Sequence, residues 1–124
     1  MTLFRKARNK MGAKGSRCSR GHYHPSQGEA RRCEVLHIAQ DAGLISDLKV
    51  HASYTIVPGF KYKADFAYIE NGVQYAEDFK GPMTQRFRDV MRLWKEHGKH
   101  PLRVTKLVGS KFYVDKEITP NLSA

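Results

Sequence analysis

The 124-residue chain has two cysteines, one tryptophan and no apolar run near the roughly 18 residues that a membrane span needs. Two cysteines are too few for a disulfide scaffold and fit a reducing compartment. The N-terminal MTLFRKARNK has no apolar segment of the kind a signal peptide carries, so a soluble, cytoplasmic protein without a membrane partner is expected. No internal repeat is present, and the length suits one domain with a modest core.

Acids are scarce as well. Twelve Asp and Glu stand against 22 Lys and Arg, a formal net charge of +10. Residues 1–25 contain no acid but hold Arg5, Lys6, Arg8, Lys10, Lys14, Arg17 and Arg20, which leaves the remainder only three charges above balance. This pattern predicts a flexible basic arm over 1–25, a single domain over 26–124, and a polyanionic partner whose phosphates the arm neutralises.

Periodicity organises that domain. Ser26 and Glu29 have capping-box spacing, and Ala30, Cys33 and then Leu36 or His37 recur at helical intervals until Asp41-Ala42-Gly43. Alternation from Leu48 to about Val57 predicts a strand, which Pro58-Gly59 ends. Asn71-Gly72 between β-prone runs predicts a type I′ hairpin with strands at about Lys63–Glu70 and Val73–Lys80. Thr84 caps a second helix with Phe87, Val90, Met91 and Trp94 on its apolar stripe, and Leu102–Val108 reads as a buried strand. The segment from Ser110 has no clear pattern.

The scarce acids concentrate around that hairpin. If Glu70 faces Val73, Asp65 faces Asp78 and Lys63 faces Lys80. Alternation puts Asp65, Asp78 and Lys80 on one face and turns Glu77 to the other. Carboxylates at about 5 Å between Cβ atoms repel; a raised pKa on one of them, or a cation between them, relieves this. Mg²⁺ suits the second remedy, with Lys80 beside it to orient water or neutralise phosphate. The competing reading is an exposed strand pair with solvated acids.

The helix start Ser26-Gln27-Gly28-Glu29-Ala30-Arg31-Arg32, with Ala64-Asp65-Phe66 and Glu77-Asp78-Phe79-Lys80-Gly81, resembles the PD-(D/E)xK nuclease superfamily. It looks closest to small phage-borne domains of that superfamily, and the layout is similar to phage endonuclease I, a Holliday junction resolvase. The resemblance covers roughly Ser26 to Val108; Ala64 stands where the superfamily's name has proline. It implies an α/β, restriction-endonuclease-like αβββαβ core with a mixed sheet flanked by helices. It also implies an Mg²⁺-dependent endodeoxyribonuclease, with Mn²⁺ able to substitute, acting on branched or junction DNA in phage recombination or genome processing, as a homodimer in the host cytoplasm. Asp65 and Asp78 would bind the metal and Lys80 would be the catalytic lysine. Glu29 would add a third carboxylate, unless it serves only as the capping partner of Ser26.

Arg86, on the second helix with Arg88, Arg92 and Lys95, is a candidate DNA contact beside the arm, and Gln85 is a weaker one. Two other functions stay open: a non-catalytic DNA-binding module, and a zinc-stabilised nucleic-acid-binding adaptor built on Cys18, His22, His24 and Cys33. The C-x3-H-x-H-x8-C spacing matches no common zinc module, and Cys33 falls on the apolar stripe of the first helix.

Overall fold

A computed structural model describes residues 15–121. The chain first forms a short antiparallel ribbon, β1 (Ser16–Arg17) paired with β2 (Tyr23–His24). Its turn closes through the Gly21 amide, which donates to the Cys18 carbonyl at 2.9 Å, with Gly21 at a φ of 84°. Cys18 and His24 are buried. The arm expected over 1–25 therefore divides: residues 15–25 carry this ribbon and pack on the first helix, and residues 1–14 lie outside the described residues.

Ser26 caps α1 (Gln27–Asp41) by accepting the Glu29 amide proton at 3.1 Å. Ala30, Cys33 and Leu36 form its buried stripe, and Gly43, at a φ of 79°, turns the chain out of the helix. Two long strands follow, β3 (Ser46–Val57) and β4 (Phe60–Glu70), joined at Pro58-Gly59 into one hairpin. Asn71 and Gly72, at φ of 51° and 78°, make the expected tight turn into β5 (Val73–Phe79). Thr84 caps α2 (Gln85–His97), which crosses over to β6 (Leu102–Val108), parallel to β5. Gly109-Ser110 then returns the chain as β7 (Lys111–Ile118).

The result is an α/β fold: a mixed sheet in the order β3-β4-β5-β6-β7, in which only β5 and β6 are parallel, flanked by two helices. Its two cores lie on opposite faces of β5. On one, Cys33 and Leu36 of α1 gather Phe66 and Tyr68 with Tyr75 beside them; on the other, Val90 and Trp94 of α2 pack with Ala76 and Leu102. No helix of the described residues is long and apolar enough to cross a membrane.

Strand alternation breaks at one level of the sheet. Phe66 and Tyr68 belong to the α1 core, yet Tyr62 and Ala64, of the same parity on β4, belong to the α2 core. Likewise Val50 on β3 packs with the first core, and Tyr54 and Ile56 with the second. Both strands change face between these residues, at Asp65 and at His51, and His51 holds a left-handed φ of 58°. A non-glycine residue in that region stores backbone strain, which concentrates at functional sites.

Candidate active site

The register predicted from Asn71-Gly72 holds through Phe66 paired with Glu77, and there the β4–β5 ladder stops. Asp65 and Asp78 stand just past that last pair. Instead of a backbone carbonyl, the Asp65 carboxylate takes the next donor, accepting the Phe79 amide at 2.7 Å. The strands part around these two acids, and a cleft of about 1000 Å³ opens, lined by Glu29, Asp65, Asp78, Lys80, Tyr62 and Arg86. Because the face changes at Asp65, its carboxylate meets Glu29 from α1 as well as Asp78.

Burial and mutual repulsion govern the charge of this group. Burial pushes the Glu29 carboxyl up to about 7, with a hydrogen bond to Asp65 working against the rise and the Asp78 charge adding to it. Asp65 is pushed up to about 8, first by burial and then by the Glu29 charge. Asp78 lies well above the usual carboxylate range, again from burial first and the Asp65 charge second. The buried Tyr62 hydroxyl lies beside Asp78 and opposes that rise, although it completes no hydrogen bond of full geometry.

Glu29 is held from both sides. Its Oε2 accepts from His24 Nδ1 at 2.5 Å and from His51 Nε2 at 3.1 Å. Ser26 supplies its half of a capping box by accepting the Glu29 amide, while the Glu29 side chain bonds His24 and His51 and lines the cleft. Lys80 follows β5, its amide donating to the Thr105 carbonyl at 2.6 Å, while its Nζ pairs with Asp115 Oδ2 at 3.0 Å. Lys106 also pairs with Asp115, and the two lysines hold the Asp115 carboxyl below its ordinary value.

Glu77 lies on the opposite face, as the alternation predicts, and is fully buried there. It accepts from Arg32 Nε at 2.6 Å and Nη2 at 2.9 Å, from the Tyr68 hydroxyl at 2.5 Å and from Thr105 Oγ1 at 2.9 Å. Among the expected DNA contacts, Arg86 lines the cleft, stacks 4.4 Å over the Phe60 ring and donates to the Lys61 carbonyl. Arg17 and Arg20 sit on the ribbon, donating to the Gly21 carbonyl and pairing with Asp41, and neither lines the cleft. Gln85 donates to Asp89 on its own helix. Arg5, Lys6, Arg8, Lys10 and Lys14 lie outside the described residues.

Three residues at the site have no individual signal in the sequence, His51, Tyr62 and Asp115, while His24 was legible only as a candidate zinc ligand and not as a partner of Glu29. Tyr62 precedes the predicted start of β4, and Asp115 lies on β7, where no pattern was legible. His51, at a left-handed φ of 58° on β3, bonds Glu29 from the sheet.

The cleft donors are carboxylates, the ligand type of a hard divalent cation. Among the described residues, Glu29 groups with His24 and His51 within 4.8 Å, whereas Asp65 and Asp78 belong to no group of three such ligands. Comparison with family models, curated proteins and solved structures finds no match to this chain.

Proposed function

We propose that the protein is a metal-dependent endonuclease that hydrolyses DNA phosphodiesters at this cleft. The observation that carries the reading is the convergence of Glu29, Asp65 and Asp78, all with raised pKa values, in one cleft that Lys80 also lines. Buried acids that repel one another are costly to ionise together, and a bound cation would offset that cost. The order α1, β3, β4, β5, α2, β6 supports a restriction-endonuclease-like core, and the PD-(D/E)xK resemblance supplies the reaction class.

In this reading Asp65 and Asp78 hold Mg²⁺ or Mn²⁺, which supplies Lewis-acid charge and lowers the pKa of water when bound. Glu29, fixed by His24 and His51, orients water from the α1 side or accepts its proton. Lys80, held at the cleft by Asp115, neutralises charge that develops on the phosphate. Arg86 and the basic N-terminal residues position the DNA backbone. Cutting both strands of a branched substrate requires two sites, so a homodimer and branched or junction DNA belong to the proposal.

Labelled four-way, flap, single-stranded and duplex DNAs incubated with Mg²⁺, Mn²⁺ or EDTA test it. Metal-dependent cleavage of at least one substrate is expected, lost in Asp78→Asn and Lys80→Ala while DNA binding persists. Binding without cleavage across the panel and both metals would instead identify a non-catalytic DNA-binding module.

A further inference from the structure

A second cluster lies where the ribbon meets α1. Cys18 Sγ and Cys33 Sγ are 3.4 Å apart, and His22 Nδ1 lies 3.5 Å from the first and 3.7 Å from the second. With Zn–S near 2.3 Å and Zn–N near 2.0–2.1 Å, a tetrahedron has S···S edges of roughly 3.8 Å and S···N edges of roughly 3.6 Å. The three atoms thus already span one face of a zinc tetrahedron, with only the sulfur pair slightly close. His24 completes the set: one ligand atom from each of Cys18, His22, His24 and Cys33 lies within 4.8 Å of all the others. His24 is fully buried, its Nδ1 is committed to Glu29, and its Nε2 has no partner. A buried ring nitrogen without a partner is costly, and a metal bond would satisfy it. His37 is a poorer fourth ligand, because its Nδ1 donates to the Cys33 carbonyl at 2.8 Å while its ring stacks on His22.

We propose that Cys18, His22, His24 and Cys33 bind a structural zinc ion that clamps the N-terminal ribbon onto α1 and, through His24, orients Glu29. Two thiolates and two imidazoles in one close set, with Cys18, His24 and Cys33 buried and His22 half-buried, are the donors of a structural zinc site rather than of a magnesium site. The ribbon needs such a staple: strands of two residues each do not hold together alone. The His24–Glu29 bond has the form of the carboxylate–histidine–zinc arrangement, in which the outer carboxylate fixes the ring and its tautomer. The unusual C-x3-H-x-H-x8-C spacing follows from the fold, since three ligands come from one tight turn and its return strand while the fourth comes from the second turn of α1. This site stands whether or not the neighbouring cleft cleaves DNA.

The full chain, purified without a metal-affinity tag, is assayed for metal by mass spectrometry and then exchanged with Co²⁺. Stoichiometric zinc is expected, with Co²⁺ giving a tetrahedral ligand-field spectrum and a thiolate charge-transfer band. Asp78→Asn should keep the zinc, Cys33→Ser should lose it, and Glu29→Gln should weaken it by roughly 10- to 100-fold. The cobalt spectrum is read on the parent protein, so it decides the matter even if Cys33→Ser does not fold. Folded parent protein without zinc, or cobalt bound without a thiolate band, overturns the site. An unchanged zinc affinity in Glu29→Gln overturns its link to the cleft.

Discussion

Glu77 and Asp78 are neighbours in the chain and face opposite sides of β5, so their substitutions should fail in opposite ways. Glu77→Gln removes the charge that balances the half-buried Arg32 guanidinium, and breaking such a buried pair costs about 3 kcal/mol of stability. Asp78→Asn removes one of three repelling acids, so without added metal it should melt at or above the parent while losing cleavage and most of the metal-induced stabilisation. Denaturation with and without Mn²⁺, run alongside a cleavage assay, separates the two; a stable but inactive Glu77→Gln would place the metal ligand on the wrong face. The facing of these two residues was legible because β5 alternates regularly up to the end of its ladder with β4. Asp65 was legible as a partner of Asp78 from the hairpin, but Glu29 was expected beside them only through the resemblance, not from alternation. That contact depends on the change of face at Asp65 and His51, and local alternation cannot reveal a break that two strands share.

Elements with strong local chemistry were the readable ones. The Ser26 and Thr84 caps, the Asn71-Gly72 turn and the apolar stripe of α2 each carry their own signal and lie where they were expected. The start of β4 was missed because Phe60 to Tyr62 gain their strand by pairing with Tyr54 to Val57 across Pro58-Gly59. β7 buries only part of one face, so it shows no clean period. The ribbon at 15–25 was hidden for another reason: its order comes from packing on α1, and a basic, glycine-containing segment reads as an arm. At the start of α1, Gly28 sits so close to the sheet that a Cβ there would lie 2.6 Å from the Phe79 ring. In an open helix, glycine to alanine would add about 1 kcal/mol. Here Gly28→Ala should instead cost about 1–3 kcal/mol, because the ring or the helix must shift. Since Glu29 is the next residue, the same substitution should weaken metal-dependent cleavage. Urea denaturation checks the sign, and a stabilised Gly28→Ala would mean that α1 does not rest on β5 as described.

Across the whole molecule, charge is divided between a basic N-terminal segment and an acidic cleft that resists ionising. Removing residues 1–14, which keeps the ribbon, deletes Arg5, Lys6, Arg8, Lys10 and Lys14. For each of these that contacts duplex phosphate, the log–log salt slope of DNA binding should shrink by about 0.9; an unchanged slope assigns the contacts to the domain. The cleft sets a different dependence. Glu29 and Asp65 hold protons up to about pH 7 and 8, against ordinary values near 4, so above pH 4 the folded state binds more protons than the unfolded chain. Their contribution to stability is complete below about pH 4 and is lost as pH rises through 7 and 8, the reverse of an ion-paired carboxylate. Histidine burial opposes this at lower pH: burial, then the Lys63 charge, lowers His51 below its ordinary 6.5, so its contribution grows as pH rises toward that value. The window from about pH 6.5 to 8 is therefore the one in which the carboxylates decide the slope. Without added Mg²⁺ or Mn²⁺, the melting temperature should fall across it. A divalent ion should flatten or reverse the fall by displacing the shared protons, and should release protons measurable by calorimetry in buffers of different ionisation enthalpy. Asp78→Asn, with one repelling acid gone, should show a shallower fall and little response to metal. A parent protein whose melting temperature rises from pH 6.5 to 8 without metal, or an Asp78→Asn variant with the parent's full metal response, would show that these acids do not share one site.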